Sequence, residues 1–188
     1  MCGIIAVLSN KNVYDFIIHG LTQLQNRGYD STGVAYIDRL ANTGSITIHK
    51  DSSDITTRAL QKLKNNTDYM RYTSNINMIM GHTRWATRGE KNIINAHPHI
   101  SYDKKICIIH NGIIENYDEI KNFLQTKDIA PISETDSELI AHVIAYHYSL
   151  KKDIKLAITH TIKQLQGTWA LIVICLLYTS PSPRDGLL

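Results

Sequence analysis

The apolar residues of this chain fall into short runs that end in polar clusters, and this pattern restricts the fold more than any other feature. Cys2 to Ser9, Thr32 to Ile37, Ser45 to Lys50, Ile76 to His82, Lys105 to His110 and Thr168 to Ile174 read as strands. Val13 to Gln25 has helical spacing, with Phe16, Ile17, Leu21 and Leu24 on one side. Asp54 to Lys64, Tyr117 to Thr126 and Asp153 to Leu165 also read as helices. Thr135-Asp136-Ser137-Glu138 has the form of a capping box and opens a helix running to about Leu150. Asn42-Thr43-Gly44 supplies a turn between two strands. Strands and helices interleave without the phosphate-loop or dinucleotide glycine fingerprints, and the chain carries no internal repeat or heptad seam. With 188 residues it is long enough for one real core.

The bulk properties exclude several classes of function. A net charge of +3 with no long Lys/Arg cluster argues against a nucleic-acid partner. The longest apolar run, Ala170 to Leu177, is too short to span a bilayer, so no membrane partner is expected. No basic segment precedes the apolar start, which argues against a signal peptide. Three cysteines make no disulfide framework and fit a reducing, cytoplasmic compartment. Asn65-Asn66-Thr67 matches a glycosylation sequon that has no use without secretion. The nine histidines show neither H-E-x-x-H nor paired C-x-x-C spacing, so neither a metal nor another cofactor is expected.

Cys2 is the most reactive candidate. Trimming of the initiator methionine would leave a thiol and a free α-amine on one residue. A thiol of pKa ~8.5 is mostly protonated at neutral pH, and an α-amine of pKa ~7.7–8.0 is suited to take its proton. That pairing is a form of covalent catalysis. A small buried hydrophobe is the alternative reading of a cysteine at this place.

Four polar clusters sit in loops or at strand and helix ends, where sites are commonly built. Arg27-Gly28-Tyr29-Asp30-Ser31 sets a fixed charge beside a glycine; the alternative is a solvated turn with an Asp30–Arg27 ion pair. His82-Thr83-Arg84-Trp85-Ala86-Thr87-Arg88-Gly89-Glu90 offers a planar guanidinium suited to a carboxylate and an indole able to cover a pocket. Core packing of Trp85 and a surface Arg84 are equally compatible with it. His110-Asn111-Gly112-Ile113-Ile114-Glu115-Asn116 follows a strand. There an Asn amide beside a glycine N–H can stabilise an oxyanion, at about 3–4 kcal/mol per donor. The same dipeptide commonly marks a hairpin turn. Ser133-Glu134-Thr135-Asp136-Ser137-Glu138 suits a helix start through the helix dipole, and a carboxylate there can also hold an ammonium group.

The end of the chain differs in composition. Leu176-Leu177-Tyr178-Thr179-Ser180-Pro181-Ser182-Pro183-Arg184-Asp185 has two of the four prolines within a few residues and no periodicity. Cys175 to Asp185 resembles an in-frame translation of a sequencing adapter. The expected division is therefore a domain over 1–174 and a non-native tail over 175–188, in which Cys175 has no function; a genuine Pro/Ser-rich linker is the alternative reading of this segment.

Six motifs occur in order: Cys2-Gly3-Ile4, Arg27-Gly28-Tyr29-Asp30-Ser31, His82-Thr83-Arg84-Trp85-Ala86-Thr87, Asn95-Ala96-His97-Pro98-His99, His110-Asn111-Gly112-Ile113-Ile114-Glu115-Asn116 and Ser133-Glu134-Thr135-Asp136. Together they resemble the class II glutamine amidotransferase domain of the glutamine–fructose-6-phosphate aminotransferases, over Met1 to about Ile174. Tyr29, Trp85 and Ile113-Ile114-Glu115 favour this hexosamine branch over the amidotransferases of purine synthesis. The resemblance implies an α+β, N-terminal-nucleophile hydrolase fold: an αββα four-layer sandwich of two antiparallel sheets. It implies that Cys2 attacks the side-chain amide of L-glutamine, with Asn111 and the Gly112 N–H on the oxyanion and Arg27 supporting the loop around Cys2. Arg84 would bind the α-carboxylate and Asp136 the α-ammonium, while Thr87 lines the pocket and Trp85 gates the passage onward. Further strands and sugar-isomerase domains are expected beyond this sequence, and fructose 6-phosphate is a partner of the whole enzyme only.

One position departs from the family. Arg88 stands where His is usual, and a larger, permanently charged side chain is expected to weaken glutamine binding. Two other functions stay open at this point: the glutaminase part of a different class II amidotransferase, and a silent module that binds glutamine without turnover.

Overall fold

A computed structural model describes residues 2–37, 44–67, 70, 76 and 78–176 of the chain. Residues 42 and 43 of the expected turn, and most of the expected tail (177–188), lie outside the described residues.

Among the described residues the short apolar runs form two antiparallel sheets. The first has the order β1-β4-β2-β3, from Gly3–Leu8 (β1), Ser31–Ile37 (β2), Ile46–Ser52 (β3) and Met78–Arg84 (β4). The second has the order β5-β6-β7, from His99–Ile100 (β5), Ile106–Ile114 (β6) and Gly167–Cys175 (β7). Among the described residues five α-helices accompany them: Tyr14–Leu24 (α1), Ala59–Thr67 (α2), Tyr117–Gln125 (α3), Asp136–Lys151 (α4) and Ile154–Gln164 (α5).

Alternation along the strands sorts side chains into two apolar layers per sheet. Val34, Tyr36 and Ile79 point outward and bury Ile17, Leu21, Leu60 and Leu63 of α1 and α2. Ala35, Met80, Cys107, Ile109 and Ile174 point inward and close the gap between the sheets. Ile106, Ile108 and Ile114 turn to the far side, where α3, α4 and α5 pack. The layers therefore run helix, sheet, sheet, helix, the αββα arrangement the resemblance implies. Each fully buried Ile or Leu contributes about 1.5–3 kcal/mol. α4 is buried on most sides, from Leu139 to Ala145, because it lies beneath α3 and α5 and against β6.

Several local expectations shift. β6 continues through Asn111-Gly112-Ile113-Ile114, which pair with β7 instead of forming a loop or hairpin turn. Gly112 permits this pairing. Its φ is +150°, and a Cβ there would stand 2.0 Å from the Thr168 carbonyl oxygen. α2 starts at Ala59, later than expected, because Asp54 accepts the backbone N–H groups of Thr56 and Thr57 and holds a turn. The two-residue β5 has too little pattern to be read from sequence. The capping box at α4 is modified: Thr135 caps Glu138 N–H, but the Glu138 carboxylate reaches past the cap to Ile132 and Ser133 N–H. β7 runs to Cys175, and Leu176 N–H donates to Lys105 O. Among the described residues no helix is long and apolar enough to cross a membrane.

Candidate active site

The pairing of β1 with β4 sets Gly3 opposite Thr83, so Cys2 lies beside the end of β4. The Trp85 N–H donates to Cys2 Sγ at 3.4 Å, and the thiol donates to Trp85 O at 3.5 Å. From the other sheet, Asn111 Nδ2 donates to the Cys2 carbonyl at 3.1 Å. Cys2 is thus clasped between a residue after β4 and an inward-facing residue of β6.

A small cavity of about 30 Å³ opens beside it, on the scale of a water or two. Its walls include Cys2, Arg84, Thr87, Gly112, Asp136 and the exposed Trp85, whose ring meets Tyr29 edge-on at 5.6 Å. Arg84 is the buried cation. It donates to Glu90 O at 3.0 Å and to Arg88 O, which uses two of its five N–H donors. Burial lowers the Arg84 pKa, while negative charge at Cys2, Asp30, Asp136 and Glu134 opposes the shift. Asp136 is the anion of the opposite wall. It occupies the first turn of α4, where the helix dipole favours a carboxylate, and Oδ2 accepts Ile114 N–H at 2.9 Å.

The loop after β4 is tied down on two sides. Asp30 is buried, accepts Ala86 N–H at 2.9 Å and pairs with Lys91 at 2.9 Å. Lys91 therefore takes the place of the Arg27 partner considered from sequence. Glu134 accepts Glu90 N–H at 2.9 Å and Asn95 Nδ2 at 2.8 Å, and Asn95 Oδ1 accepts Glu134 N–H in return. Those bonds hold the Glu134 carboxyl below its ordinary value. Gly28 packs so closely on this loop that a Cβ would lie 2.5 Å from the Arg84 carbonyl carbon. Arg88 also lines the cavity, and its guanidinium lies 3.6 Å from the centroid of the Tyr117 ring on α3.

Buried histidines stack between the sheets, and His97 and His110 reach the cavity wall. His82 and His97 rings lie 4.0 Å apart, and His99 meets His97 edge-on at 4.7 Å. Burial pushes His82 down to about 3 and His97 and His99 well below their ordinary range. His110 is lowered by burial, with Asp136 opposing. Among the described residues no group of His, Cys, Asp and Glu is arranged to hold a metal ion. A larger cavity of about 770 Å³, lined by Ile48, Ile93, Ile94 and Ile132, lies away from Cys2.

The structure thus brings Cys2, Arg84, Trp85, Thr87, Gly112 and Asp136 to one cavity. Asn111 touches Cys2 from behind. Arg27 remains exposed in the 3-10 turn Gln25–Arg27, adjoining Gly28 and away from the cavity wall. Sequence reasoning assigned no part to Asp30, Asn95, His97 or Ser137. Asp30, Asn95 and His97 sit inside quoted motifs, and their signal is a polar side chain in a segment that the fold buries.

The family described as the glutamine amidotransferase domain matches residues 40–175. The glutamine–fructose-6-phosphate aminotransferase of Caldanaerobacter subterraneus subsp. tengcongensis is 39% identical over 93% of this chain and 27% of its own length. That of Vibrio parahaemolyticus is 37% identical over 92% and 26%. This chain therefore spans about a quarter of the length of these relatives. The glutamine phosphoribosylpyrophosphate amidotransferase of B. subtilis shares the fold, with a TM-score of 0.73 at 21% identity over 93% of this chain and 35% of its own. A second solved structure, described as the allosteric regulatory enzyme of purine biosynthesis, aligns with a TM-score of 0.74 at 21% identity, covering 93% of this chain and 35% of its own. The architecture is that of the N-terminal-nucleophile amidotransferases, and the chain belongs to the glutamine amidotransferase domain family.

Proposed function

We propose that the chain hydrolyses the side-chain amide of L-glutamine and supplies the ammonia of a glutamine–fructose-6-phosphate aminotransferase. Cys2, freed of Met1, gives its thiol proton to its own α-amine, and sulfur attacks the amide carbon. The tetrahedral oxyanion is held by the Gly112 N–H and by Asn111, whose amide has a second hydrogen besides the one on the Cys2 carbonyl. The α-ammonium then passes its proton to the leaving nitrogen, and ammonia departs. A water adds to the thioester, the carbon–sulfur bond breaks, and glutamate leaves with the thiol restored.

Arg84 takes the substrate α-carboxylate with the donors that its loop does not use, and Asp136 takes the α-ammonium. Thr87 and Trp85 form the outer wall. The cavity holds little more than a water, so glutamine enters by displacing these exposed side chains. Arg27 supports the loop through its neighbour Gly28. In the whole enzyme, ammonia passes Trp85 to sugar-isomerase domains that act on fructose 6-phosphate, in the reducing cytoplasm. The free Cys2, Cys107 and Cys175 accord with that compartment.

One observation carries the reading: a sulfur nucleophile, a buried cation and a helix-start carboxylate converge on one cavity. The test is incubation with diazo-oxo-norleucine, a glutamine-like electrophile, followed by intact mass. We expect a single adduct on protein lacking Met1, absent from Cys2→Ala. A folded, Met1-free protein that takes no adduct overturns the proposal.

A further inference from the structure

Ser137 is the second residue of α4 and only 1% exposed. Three polar groups meet its hydroxyl: His97 Nε2 at 2.8 Å, His110 Nδ1 at 2.9 Å and Asp136 Oδ1 at 3.4 Å. One hydroxyl has one hydrogen to give and two lone pairs to fill. The carboxylate can only accept. Burial keeps both imidazoles neutral, so each has one N–H to donate. When both imidazoles donate to Oγ, the hydroxyl donates to Asp136; the Thr168 carbonyl competes for the His110 N–H from the other side of the ring. A hydroxyl hydrogen given to an imidazole instead leaves the Ser137 oxygen facing a carboxylate oxygen with no hydrogen between them. His97 cannot easily turn away, because His82 stacks on one side of it and His99 meets it edge-on.

We propose that Ser137, held by His97 and His110, is a positioning residue that orients Asp136 toward the α-ammonium group of the amino-acid substrate. Asp136 Oδ2 accepts Ile114 N–H on β6 at 2.9 Å, and Oδ1 faces the Ser137 hydroxyl on α4 at the longer 3.4 Å. With one oxygen bonded and the other facing a donor, the carboxylate plane is set before substrate arrives, which lowers the ordering cost of binding. The inference builds on the proposed ammonium role of Asp136 and names what enforces it.

The test compares L-glutamine with glutaramate, the same molecule without the α-amine. Each ligand's affinity is read as protection of Cys2 from diazo-oxo-norleucine labelling. Wild-type protein should prefer glutamine strongly. Ser137→Ala should narrow that preference about tenfold by weakening glutamine alone, while Ser137→Thr, which keeps the hydroxyl, should restore it. General loosening of the fold would weaken both ligands equally and leave their ratio unchanged. An unchanged ratio in Ser137→Ala, or a ratio in Ser137→Thr as low as in the alanine variant, overturns the inference. Asp136→Ala separates the two ideas. If it collapses the ratio while Ser137→Ala does not, the positioning role alone fails; if it leaves the ratio intact, the ammonium role fails with it.

Discussion

Replacing Glu138 with glutamine probes the support of the helix start that carries Asp136 and Ser137. The Glu138 carboxylate is 5% exposed, accepts Ile132 and Ser133 N–H, and lies 3.4 Å from His142 Nε2. Burial works against its charge, but bonds from His142, Ser133 and Ile132 hold the carboxyl down at about 2, against an ordinary 4.5. A folded value below the unfolded one gives stability that is complete above 4.5 and lost as pH falls toward 2. At 1.36 kcal/mol per pH unit of separation, that is about 3 kcal/mol at pH 7 and about 2 kcal/mol at pH 3.5. Glutamine has one acceptor oxygen and an NH₂ that clashes with the second backbone N–H, so Glu138→Gln should cost about 2–3 kcal/mol at pH 7. The charge-dependent part should then fade, making the cost about 1 kcal/mol smaller at pH 3.5. Urea unfolding of both proteins at both pH values measures the difference, and titrating groups that do not touch Glu138 cancel in the comparison. An equal cost at pH 7 and pH 3.5 would refute the reasoning, since the native carboxylate would then have no depressed titration.

The remaining predictions concern the loop and the strand around the cavity. Arg88→Ala removes a guanidinium–ring contact worth about 0.5–1 kcal/mol, so the glutamine KM should rise about two- to fivefold with kcat nearly unchanged; steady-state kinetics decide it. If instead the Arg88 charge hinders binding, as its departure from the family pattern suggests, Arg88→His will lower KM. Gly112→Ala places a Cβ against the Thr168 carbonyl at a positive φ. It should cost more than about 2 kcal/mol and drop the Tm by roughly 5–10 °C, visible by circular dichroism. Asp30→Asn keeps an acceptor for Ala86 N–H and loses an ion pair whose lysine is 65% exposed, so it should stay near wild type. Asp30→Ala leaves that N–H unmet and should raise the glutamine KM about tenfold; equal KM values for the two variants would exclude this account.

The strands and helices were legible where apolar spacing is regular, as in α1, α3 and the Asp153-capped α5. Reading failed where long-range pairing overrides local signals. Asn111-Gly112 has a turn-forming composition, yet β7 lies beside it and turns it into strand. Asp54 to Arg58 looked helical, but the Asp54 side chain captures the backbone first. The candidate site was legible as a set of reactive residue types. Its supports were not, because Asn95 meets Glu134 and His97 meets Ser137 only through tertiary folding.

The register of β1 on β4 joins the fold to the chemistry. Gly3 lies opposite Thr83 and Ile5 opposite Gly81, with Ile4 facing the gap between the sheets. A slip of one residue would turn Ile4 outward and remove Cys2 from its place beside Trp85. The alternation that buries Ile4 against the inward layer thus also aims Cys2 at the end of β4. The same rule on β6 sends Cys107, Ile109 and Asn111 toward β1, which brings an amide donor to the Cys2 carbonyl. His110, one position earlier, faces α4 and finds Ser137. Two adjacent residues of one strand therefore reach two sides of the cavity, Asn111 meeting the Cys2 carbonyl and His110 the Ser137 hydroxyl beside Asp136. That division requires the strand to run unbroken past Gly112, which is why the glycine's backbone freedom bears on the site as well as on the sheet.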